Sequence, residues 1–263
     1  MKPAEARVLL TGASGGIGRA MAAQLRAAGA QVTGVGRGAA APAGLALHAW
    51  VQADLATPEG VQAVAQAAAR QRCNVVVMAA GLPCFGALGD VPALQAAAVL
   101  QANLLAPVLL AQALLPQLLQ LPQAQLVFVG SALGRIGVPG FSVYGASKAG
   151  LHGFAEALRR ELAGSTVRVQ TLAPRSTRTA FNNSAVRAFN VATGTASSSP
   201  DEVAQALLAL IDSTAAERYI GMPERLAVRL NGLLGGLLDG SFTRHRRSLR
   251  PATPSPTPQE TPT

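Results

Sequence analysis

A tyrosine and a lysine four residues apart, Tyr144 and Lys148, are the pair in this sequence best suited to chemistry. At this spacing two side chains share one face of a helix and can reach the same ligand. An ammonium beside a phenol stabilises the phenolate and lowers the phenol pKa from its usual value of about 10. We therefore expect Tyr144 to work as an acid and base near neutral pH, with its pKa lowered by Lys148.

Two further observations single out this region, although a Tyr-x-x-x-Lys pair is by itself common on helices. The chain has 20 arginines but only two lysines, Lys2 and Lys148, so an interior lysine suggests a need for a compact point charge. Ser131 directly follows the apolar run 125–130, which is typical of a strand. Its hydroxyl can therefore point into the same crevice as Tyr144, at the start of a helix predicted over 144–163.

The N-terminal region reads as a strand, a glycine-rich turn and a helix. Residues 8–11 are apolar, residues 11–18 read T-G-A-S-G-G-I-G, and a helix is expected over 17–28. Glycines let the backbone approach a pyrophosphate, and a helix N-terminus supplies free N–H groups with a partial positive charge. The pattern predicts a dinucleotide site with contacts from five residues: Gly12, Ser14, Gly16, Ile17 and Gly18.

The second predicted strand, 31–36, ends where the adenosine ribose of a dinucleotide would lie. An acidic residue there would bind the ribose 2′-hydroxyl and repel a 2′-phosphate, but the chain has Gly36 followed by Arg37. A guanidinium can pair with a phosphate. We therefore expect NADP(H) in preference to NAD(H), with a solvated surface arginine as the alternative for Arg37.

Two more strands are expected to contribute to this site. The strand 47–52 precedes Asp54, which could cap the next helix or hold an adenine amino group; Thr57, followed by Pro58, is the better cap, which leaves Asp54 for adenine. The continuous apolar run 74–79 is typical of a central parallel strand. It ends at Ala80 and Gly81, whose small side chains would let a cofactor pack closely.

The middle of the chain predicts a long apolar helix over 92–119 that is buried or forms a subunit interface. Asn103 within it is either a catalytic amide or a satisfied core amide. A strand is expected over 167–172, and the polar stretch 181–198 is interpreted as a lid or mobile substrate loop. A capping box at Ser199 and Glu202 starts a helix to Ile211, and a last strand is predicted over 219–221.

Composition restricts the class of protein. A chain of 263 residues that is nearly half apolar suits one α/β domain, and we expect no bilayer-spanning run because prolines interrupt the long uncharged interval 91–134. The beginning of the chain leaves no room for a signal peptide, so Cys73 and Cys84 are expected to be reduced and the protein cytoplasmic. The net charge of +9 is spread along the chain without an aromatic-rich motif, which argues against nucleic-acid binding.

Alternating strands and helices predict an α/β fold with a doubly wound parallel sheet, and at this point the residues resemble the short-chain dehydrogenases/reductases. The glycine turn is similar to the cofactor turn of that family, and Asp54-Leu55 to its adenine-contacting pair. Ser131, Tyr144 and Lys148 match the catalytic triad, and Asn103 matches the fourth member of its tetrad. The stretch 174–179 resembles the segment around the nicotinamide carboxamide, with contacts expected from Pro174, Thr177 and Thr179.

The resemblance implies a single Rossmann-fold domain over 1–221 and an NADPH-dependent oxidoreductase that reversibly reduces a ketone or 3-oxoacyl carbonyl. Tyr144 would give the proton, Ser131 would bind the carbonyl oxygen, Lys148 would bind the ribose, and Asn103 would hold a water that reloads Tyr144. The family also implies a homodimer or homotetramer. We assign no metal ligands, and the alternative function is a cofactor-binding sensor or scaffold without turnover.

Some residues depart from the family pattern or hint at the substrate. Met78 and Ala79 replace the usual asparagines after the fourth strand, which puts cofactor affinity in doubt, and Arg175 replaces a glycine. Apolar residues in the loops favour a hydrophobic ketone or acyl chain over a polar sugar: Phe141, Phe181, Phe189 and Val191.

The C-terminal region 222–250 is predicted to be an amphipathic basic extension, with a helix over 223–239 followed by clustered arginines. Such a helix can lie on an anionic membrane surface, here the inner membrane face, or pack on the domain or a second subunit. Residues 251–263, rich in proline and threonine, are predicted to be a disordered tail.

Overall fold

A seven-stranded, fully parallel sheet in the order β3-β2-β1-β4-β5-β6-β7 forms the centre of the protein. The computed structural model describes residues 1–45, 47–221, 228, 231 and 239–249. In chain order the strands are β1 (Arg7–Thr11), β2 (Gln31–Gly36), β3 (Ala49–Gln52), β4 (Val75–Met78), β5 (Ala124–Val129), β6 (Val167–Ala173) and β7 (Glu217–Tyr219).

The helices within the described residues lie on both faces of this sheet or at its edge. They are α1 (Gly16–Ala27), α2 (Pro58–Arg70), α3 (Ala93–Leu100), α4 (Ala106–Leu118), α5 (Ser142–Glu161), α6 (Ser184–Thr193), α7 (Pro200–Ile211) and the short α8 (Thr243–Arg247). A π-helical turn, Gln101–Leu105, joins α3 to α4.

The side chains of the central strands alternate between two hydrophobic cores. In β1, Val8 and Leu10 face the core that contains α1 and α7, whereas Leu9 faces the core that contains α2, α4 and α5. Strands covered on both faces need apolar residues at every position, which explains the unbroken runs in β4 and β5. The predicted doubly wound Rossmann fold is thus confirmed.

The strand order changes direction between β1 and β4, because β2 and β3 lie to one side of β1 and the later strands lie to the other. In doubly wound sheets this switch point opens a crevice outside the carboxyl ends of the strands. Both the glycine turn after β1 and the small residues after β4 are therefore placed in the same crevice.

The predicted helix caps are confirmed. The Thr57 hydroxyl accepts a hydrogen bond from the N–H of Gly60 at 3.1 Å, so Thr57 and not Asp54 caps α2. Ser199 and Glu202 form the reciprocal capping box of α7. Most predicted element boundaries hold within two residues; β7 lies two residues earlier than expected because it pairs with Thr171–Ala173 of β6.

Two expectations about helices were wrong. The stretch 181–198 is not a loop throughout, since it contains α6, which Asn183 caps at the start and the left-handed Gly194 ends. The prolines after residue 91 do not interrupt the apolar helix: Pro107 lies in the first turn of α4 and Pro116 near its end. Pro107 directly follows the π-helical turn, where the regular α-helical hydrogen-bond pattern is already interrupted, so the chain stays helical through it.

The resulting continuous helix, Ala93–Leu118, is by length and composition alone long and apolar enough to cross a membrane. In the structure it flanks the sheet, and Val99, Leu110, Leu114 and Leu118 are fully buried against the domain. We therefore interpret it as one of the helices that pack against the sheet of this domain.

The predicted helix 223–239 and tail 251–263 fall almost entirely outside the described residues. Between them the structure has a short 3-10 helix, Asp239–Phe242, and α8, which contacts α6. Both cysteines are free, in line with the predicted reduced state, and both are buried.

Candidate active site

One cleft of about 790 Å³ at the carboxyl ends of the strands brings the predicted site together. Ser131, Tyr144 and Lys148 line it, while Asn103 lies behind its wall. All the other predicted cofactor residues also line the cleft: Gly12, Ser14, Gly16, Ile17, Gly18, Arg37, Asp54, Leu55, Ala80, Gly81, Pro174, Thr177 and Thr179.

The glycine turn fits its surroundings so tightly that side chains are excluded. Gly12 has a φ of +69°, and a Cβ there would lie 2.8 Å from the backbone of Ala80. A Cβ on Gly18 would lie 2.1 Å from the carbonyl oxygen of Gly12. The turn therefore presents bare backbone to the cleft, as a pyrophosphate site requires.

Thr11 compensates for the departure at Met78 and Ala79. Its hydroxyl accepts hydrogen bonds from the N–H groups of Ala79 and Ala80, each at 3.1 Å. This contact fixes the end of β4 against the glycine turn. The cofactor wall is thus held in place without the asparagines that the family usually has there.

The segment after β6 closes over the same turn. A Cβ on Gly16 would lie 2.6 Å from the side chain of Thr179, so the two segments are in close contact. The carbonyl of Pro174 accepts a hydrogen bond from Ala132 N–H at 3.0 Å, which ties this segment to the turn that carries Ser131. Thr177 is buried, and its hydroxyl donates to the carbonyl of Arg175 at 3.1 Å.

Arg37 extends from the end of β2 with an exposed side chain. The backbone around it is held by Trp50, whose indole N–H donates to the carbonyl of Gly38 at 2.9 Å, and by Gln52, which donates to the carbonyl of Arg37 at 3.3 Å. Asp54 is also exposed at the cleft, and its carboxylate accepts from Ala56 N–H at 3.0 Å. Both charged groups are available to a ligand.

Tyr144 lies in the first turn of α5, and Lys148 lies one turn later. Lys148 is 6% exposed, and its ammonium donates to the carbonyl of Val129 at 2.9 Å and lies 5.9 Å from the centre of the Tyr144 ring. Ser131 caps the short turn after β5 and accepts a hydrogen bond from Leu133 N–H at 3.2 Å. A phenol, a hydroxyl and an ammonium therefore meet in one cleft.

The pKa of Tyr144 is shifted in the direction opposite to the one expected from the sequence. Burial raises the pKa of Tyr144 to about 12, and hydrogen bonding with Ser131 only partly offsets this increase. Burial also lowers the pKa of Lys148 to about 8. The expected lowering of the phenol pKa by Lys148 does not dominate here, because the ammonium is engaged with Val129 and desolvation penalises the phenolate.

Asn103 is fully buried in the π-helical turn, and its amide is largely hydrogen-bonded by protein groups. Its oxygen accepts from Leu82 N–H at 2.7 Å, and its NH₂ donates to the Leu82 carbonyl at 3.0 Å and to the Ser147 hydroxyl at 3.1 Å. Ser147 in turn donates to the carbonyl of Tyr144 at 2.7 Å. Asn103 is thus placed as a positioning residue for α5, and its contact with a water stays a prediction.

Aromatic rings form the wall of the cleft beyond Tyr144. The centre of the Phe85 ring lies 4.9 Å from that of Phe141 and 5.0 Å from that of Phe189, and Phe181 lies 6.1 Å from Tyr144. Phe141, Phe181 and Phe189 were expected there. Val191 was wrongly included, since it is 84% exposed and does not line the cleft.

Two residues of this wall were not identified from the sequence. Phe85 follows the small residues after β4, and its place just beyond a strand end could have indicated it. His245 comes from α8, and its ring centre lies 5.6 Å from that of Phe189. No sequence signal linked His245 to the site, because the C-terminal region lies outside the recognised motifs.

Comparison with known proteins agrees with this geometry. A family model described as short chain dehydrogenase matches residues 6–189. The bovine dehydrogenase/reductase SDR family member 7B is 31% identical over 253 residues, covering 88% of this chain and 78% of that protein. The human 3-oxoacyl-[acyl-carrier-protein] reductase is 35% identical over 170 residues, covering 62% of this chain and 72% of that protein.

A solved short-chain dehydrogenase from Burkholderia cenocepacia, in complex with NADP, superposes with a TM-score of 0.71 at 28% identity. The match covers 82% of this chain and 96% of that one. The family model spans well over half of the chain, and the bovine relative aligns along most of it. The chain therefore belongs to the short-chain dehydrogenase/reductase family and is an oxidoreductase.

Proposed function

We propose that the protein is an NADPH-dependent carbonyl reductase that converts a hydrophobic ketone or 3-oxoacyl group to an alcohol, reversibly. The observation that carries the proposal is the convergence of Ser131, Tyr144 and Lys148 in one cleft with the bare glycine turn. A sensor would have no need of a buried lysine and a proton donor beside its ligand.

The residues of the cleft fit a nicotinamide dinucleotide, which when bound supplies a hydride to the carbonyl carbon. The backbone of the turn from Gly12 to Gly18 would hold the pyrophosphate, and Asp54 with Leu55 the adenine. Arg37 would pair with the 2′-phosphate, and the segment 174–179 would contact the nicotinamide. The NADP named for the Burkholderia structure supports this choice of cofactor.

Tyr144 is suited to give the proton in the reductive direction. Because burial raises its pKa to about 12, the phenol is protonated at neutral pH and can donate to the carbonyl oxygen. Ser131 would hydrogen-bond that oxygen as negative charge develops on it. Lys148, with its pKa lowered to about 8, still carries its charge at pH 7 and would hold the ribose.

The aromatic wall of Phe85, Phe141 and Phe189 favours an apolar substrate body. The name of the human relative supports a 3-oxoacyl substrate. His245 adds a polar group to this wall.

A substrate panel tests the proposal. NADPH consumption with the wild-type protein should be fast with hydrophobic ketones and 3-oxoacyl thioesters and slow with polar sugars, because the rings of Phe85, Phe141 and Phe189 offer an apolar surface. A preference for sugars would contradict the proposed substrate class. A complete lack of turnover, with NADPH bound, would instead favour a sensor or scaffold.

We further propose that the protein is a homodimer or homotetramer, consistent with assembly in this family. The apolar helix 93–118 presents Leu94, Leu100 and Leu105 with 86%, 41% and 44% of their surface exposed. Burying these side chains against a second copy would be favourable. Light scattering at micromolar concentration should give a multiple of the chain mass, and a monomer would contradict this.

We also propose that the protein is cytoplasmic and makes peripheral contact with an anionic inner membrane face. The support within the described residues is α8, where Arg244, Arg246 and Arg247 are all exposed. Exposed arginines are attracted to anionic lipid surfaces.

A further inference from the structure

A buried histidine lies directly behind Ser131. His152 is on α5, one turn after Lys148, and is only 1% exposed. Its Nε2 atom lies 3.1 Å from the main-chain carbonyl oxygen of Ser131. A carbonyl oxygen can only accept a hydrogen bond, so Nε2 carries the proton and donates it. His152 does not line the cleft and is not part of the proposed chemistry.

The turn that carries Ser131 is shaped around this imidazole. A Cβ on Gly130 would lie 2.6 Å from Nε2 of His152, and a Cβ on Gly134 would lie 2.8 Å from its Cδ2. The backbone on both sides of Ser131 therefore contacts the ring closely. The ring supports the turn by packing and by one hydrogen bond, while the Ser131 hydroxyl points to the cleft side.

The far side of the ring faces a charged cluster at the end of β7. His152 Nδ1 lies 3.9 Å from an oxygen of Glu217, too far for a direct hydrogen bond, and the ring stacks on Tyr219 at 6.2 Å with an angle of 4°. Arg135 lies 3.1 Å from the same Glu217 oxygen and 3.6 Å from Glu156. These are the charged groups that surround His152 within the described residues.

The cluster keeps its charge over the working pH range. The His152 ring and the Arg135 guanidinium hold the pKa of Glu217 at about 2, against the opposing effect of burial. Glu217 is therefore a carboxylate at neutral pH. The Tyr219 hydroxyl donates to its second oxygen at 3.3 Å, which fixes the carboxylate beside the ring.

We propose that His152 is a positioning residue for Ser131, which it holds through the main-chain carbonyl while Tyr219 stacks on the other side of the ring. The proposal rests on the proposed function, in which Ser131 hydrogen-bonds the substrate carbonyl. His152 lies on the same face of α5 as Tyr144 and Lys148, one helical turn beyond Lys148. We therefore add it as a third functional position to the Tyr-x-x-x-Lys motif.

Two substitutions of His152 test the proposal on the full chain. His152→Leu fills most of the space but cannot donate to Ser131, so kcat for ketone reduction should fall about tenfold. The KM for NADPH should not change, because the glycine turn is untouched. His152→Gln keeps a side-chain N–H of similar reach and should recover most of kcat.

The division of the effect between kcat and KM, together with the rescue, separates positioning from packing. Positioning of Ser131 predicts a lower kcat at unchanged KM for NADPH in His152→Leu and a recovered kcat in His152→Gln. Loss of packing alone would lower kcat equally in both variants.

Glu217→Gln is a second, milder variant in case His152→Leu fails to fold. It should lower kcat a few-fold at unchanged KM for NADPH, since it weakens the contacts with Arg135 and Tyr219 that order the residues packed against the ring. Wild-type kcat in His152→Leu, or in Glu217→Gln when that variant alone folds, would overturn the role of His152 while leaving the proposed function intact. A wild-type protein without turnover would overturn both.

Discussion

Replacing Tyr144 by phenylalanine is expected to lower kcat for ketone reduction by a factor of about 10² to 10⁴, the usual contribution of a general acid. The phenol is the protonated group in the cleft at neutral pH, because burial raises its pKa to about 12. Phenylalanine keeps the ring, and with it the contacts to Phe141 and Phe181. The fold and the substrate wall should therefore survive the change.

The measurement is steady-state NADPH consumption together with a binding titration of NADPH to the same variant. Tyr144→Phe should bind NADPH as the wild type does, since the glycine turn and Arg37 are unchanged. Turnover near the wild-type rate would refute Tyr144 as the proton donor. A parallel loss of NADPH binding would mean that the substitution damaged the site as a whole.

Replacing Arg37 by alanine is expected to raise the KM for NADPH about tenfold or more and to leave the KM for NADH nearly unchanged. A charge-assisted hydrogen bond contributes about 1.5–3 kcal/mol, which corresponds to a factor of roughly 10 to 150. Only NADPH carries the 2′-phosphate that the guanidinium would pair with, so only NADPH should lose this contact.

Arg159→Ala is a matched control for this change, because it removes the same charge from an exposed position on α5 that does not line the cleft. It should leave both Michaelis constants unchanged, which separates a local contact from a general effect of net charge. Equal increases for NADPH and NADH in Arg37→Ala would mean that Arg37 does not read the 2′-phosphate.

Much of the fold followed from the sequence because local patterns and tertiary structure agree in this chain. Continuous apolar runs gave the central strands β4 and β5, and the cap at Thr57 and the capping box at Ser199 gave two helix starts. The glycine turn was recognisable because only glycine fits where Gly12 and Gly18 meet neighbouring backbone at 2.8 Å and 2.1 Å. A turn in which only glycine fits can therefore be recognised from the sequence.

The rest depends on contacts between residues far apart in the chain. That Lys148 donates to Val129, and that burial dominates the pKa of Tyr144, follow from packing that no local pattern encodes. The helix α6 was missed because its polar, small residues resemble a loop, although Val186 and Phe189 bury one face of it. His245 reaches the cleft from a region without any family motif.

The proposed reaction is tested most directly by following wild-type protein with NADPH and a hydrophobic ketone while the alcohol product is quantified. We expect one NADPH to be consumed for each alcohol formed, and both rates to fall by a factor of about 10² to 10⁴ in Tyr144→Phe under the same conditions. NADPH that is bound but not consumed with any carbonyl compound of the panel would contradict the account and leave a cofactor-binding protein without turnover.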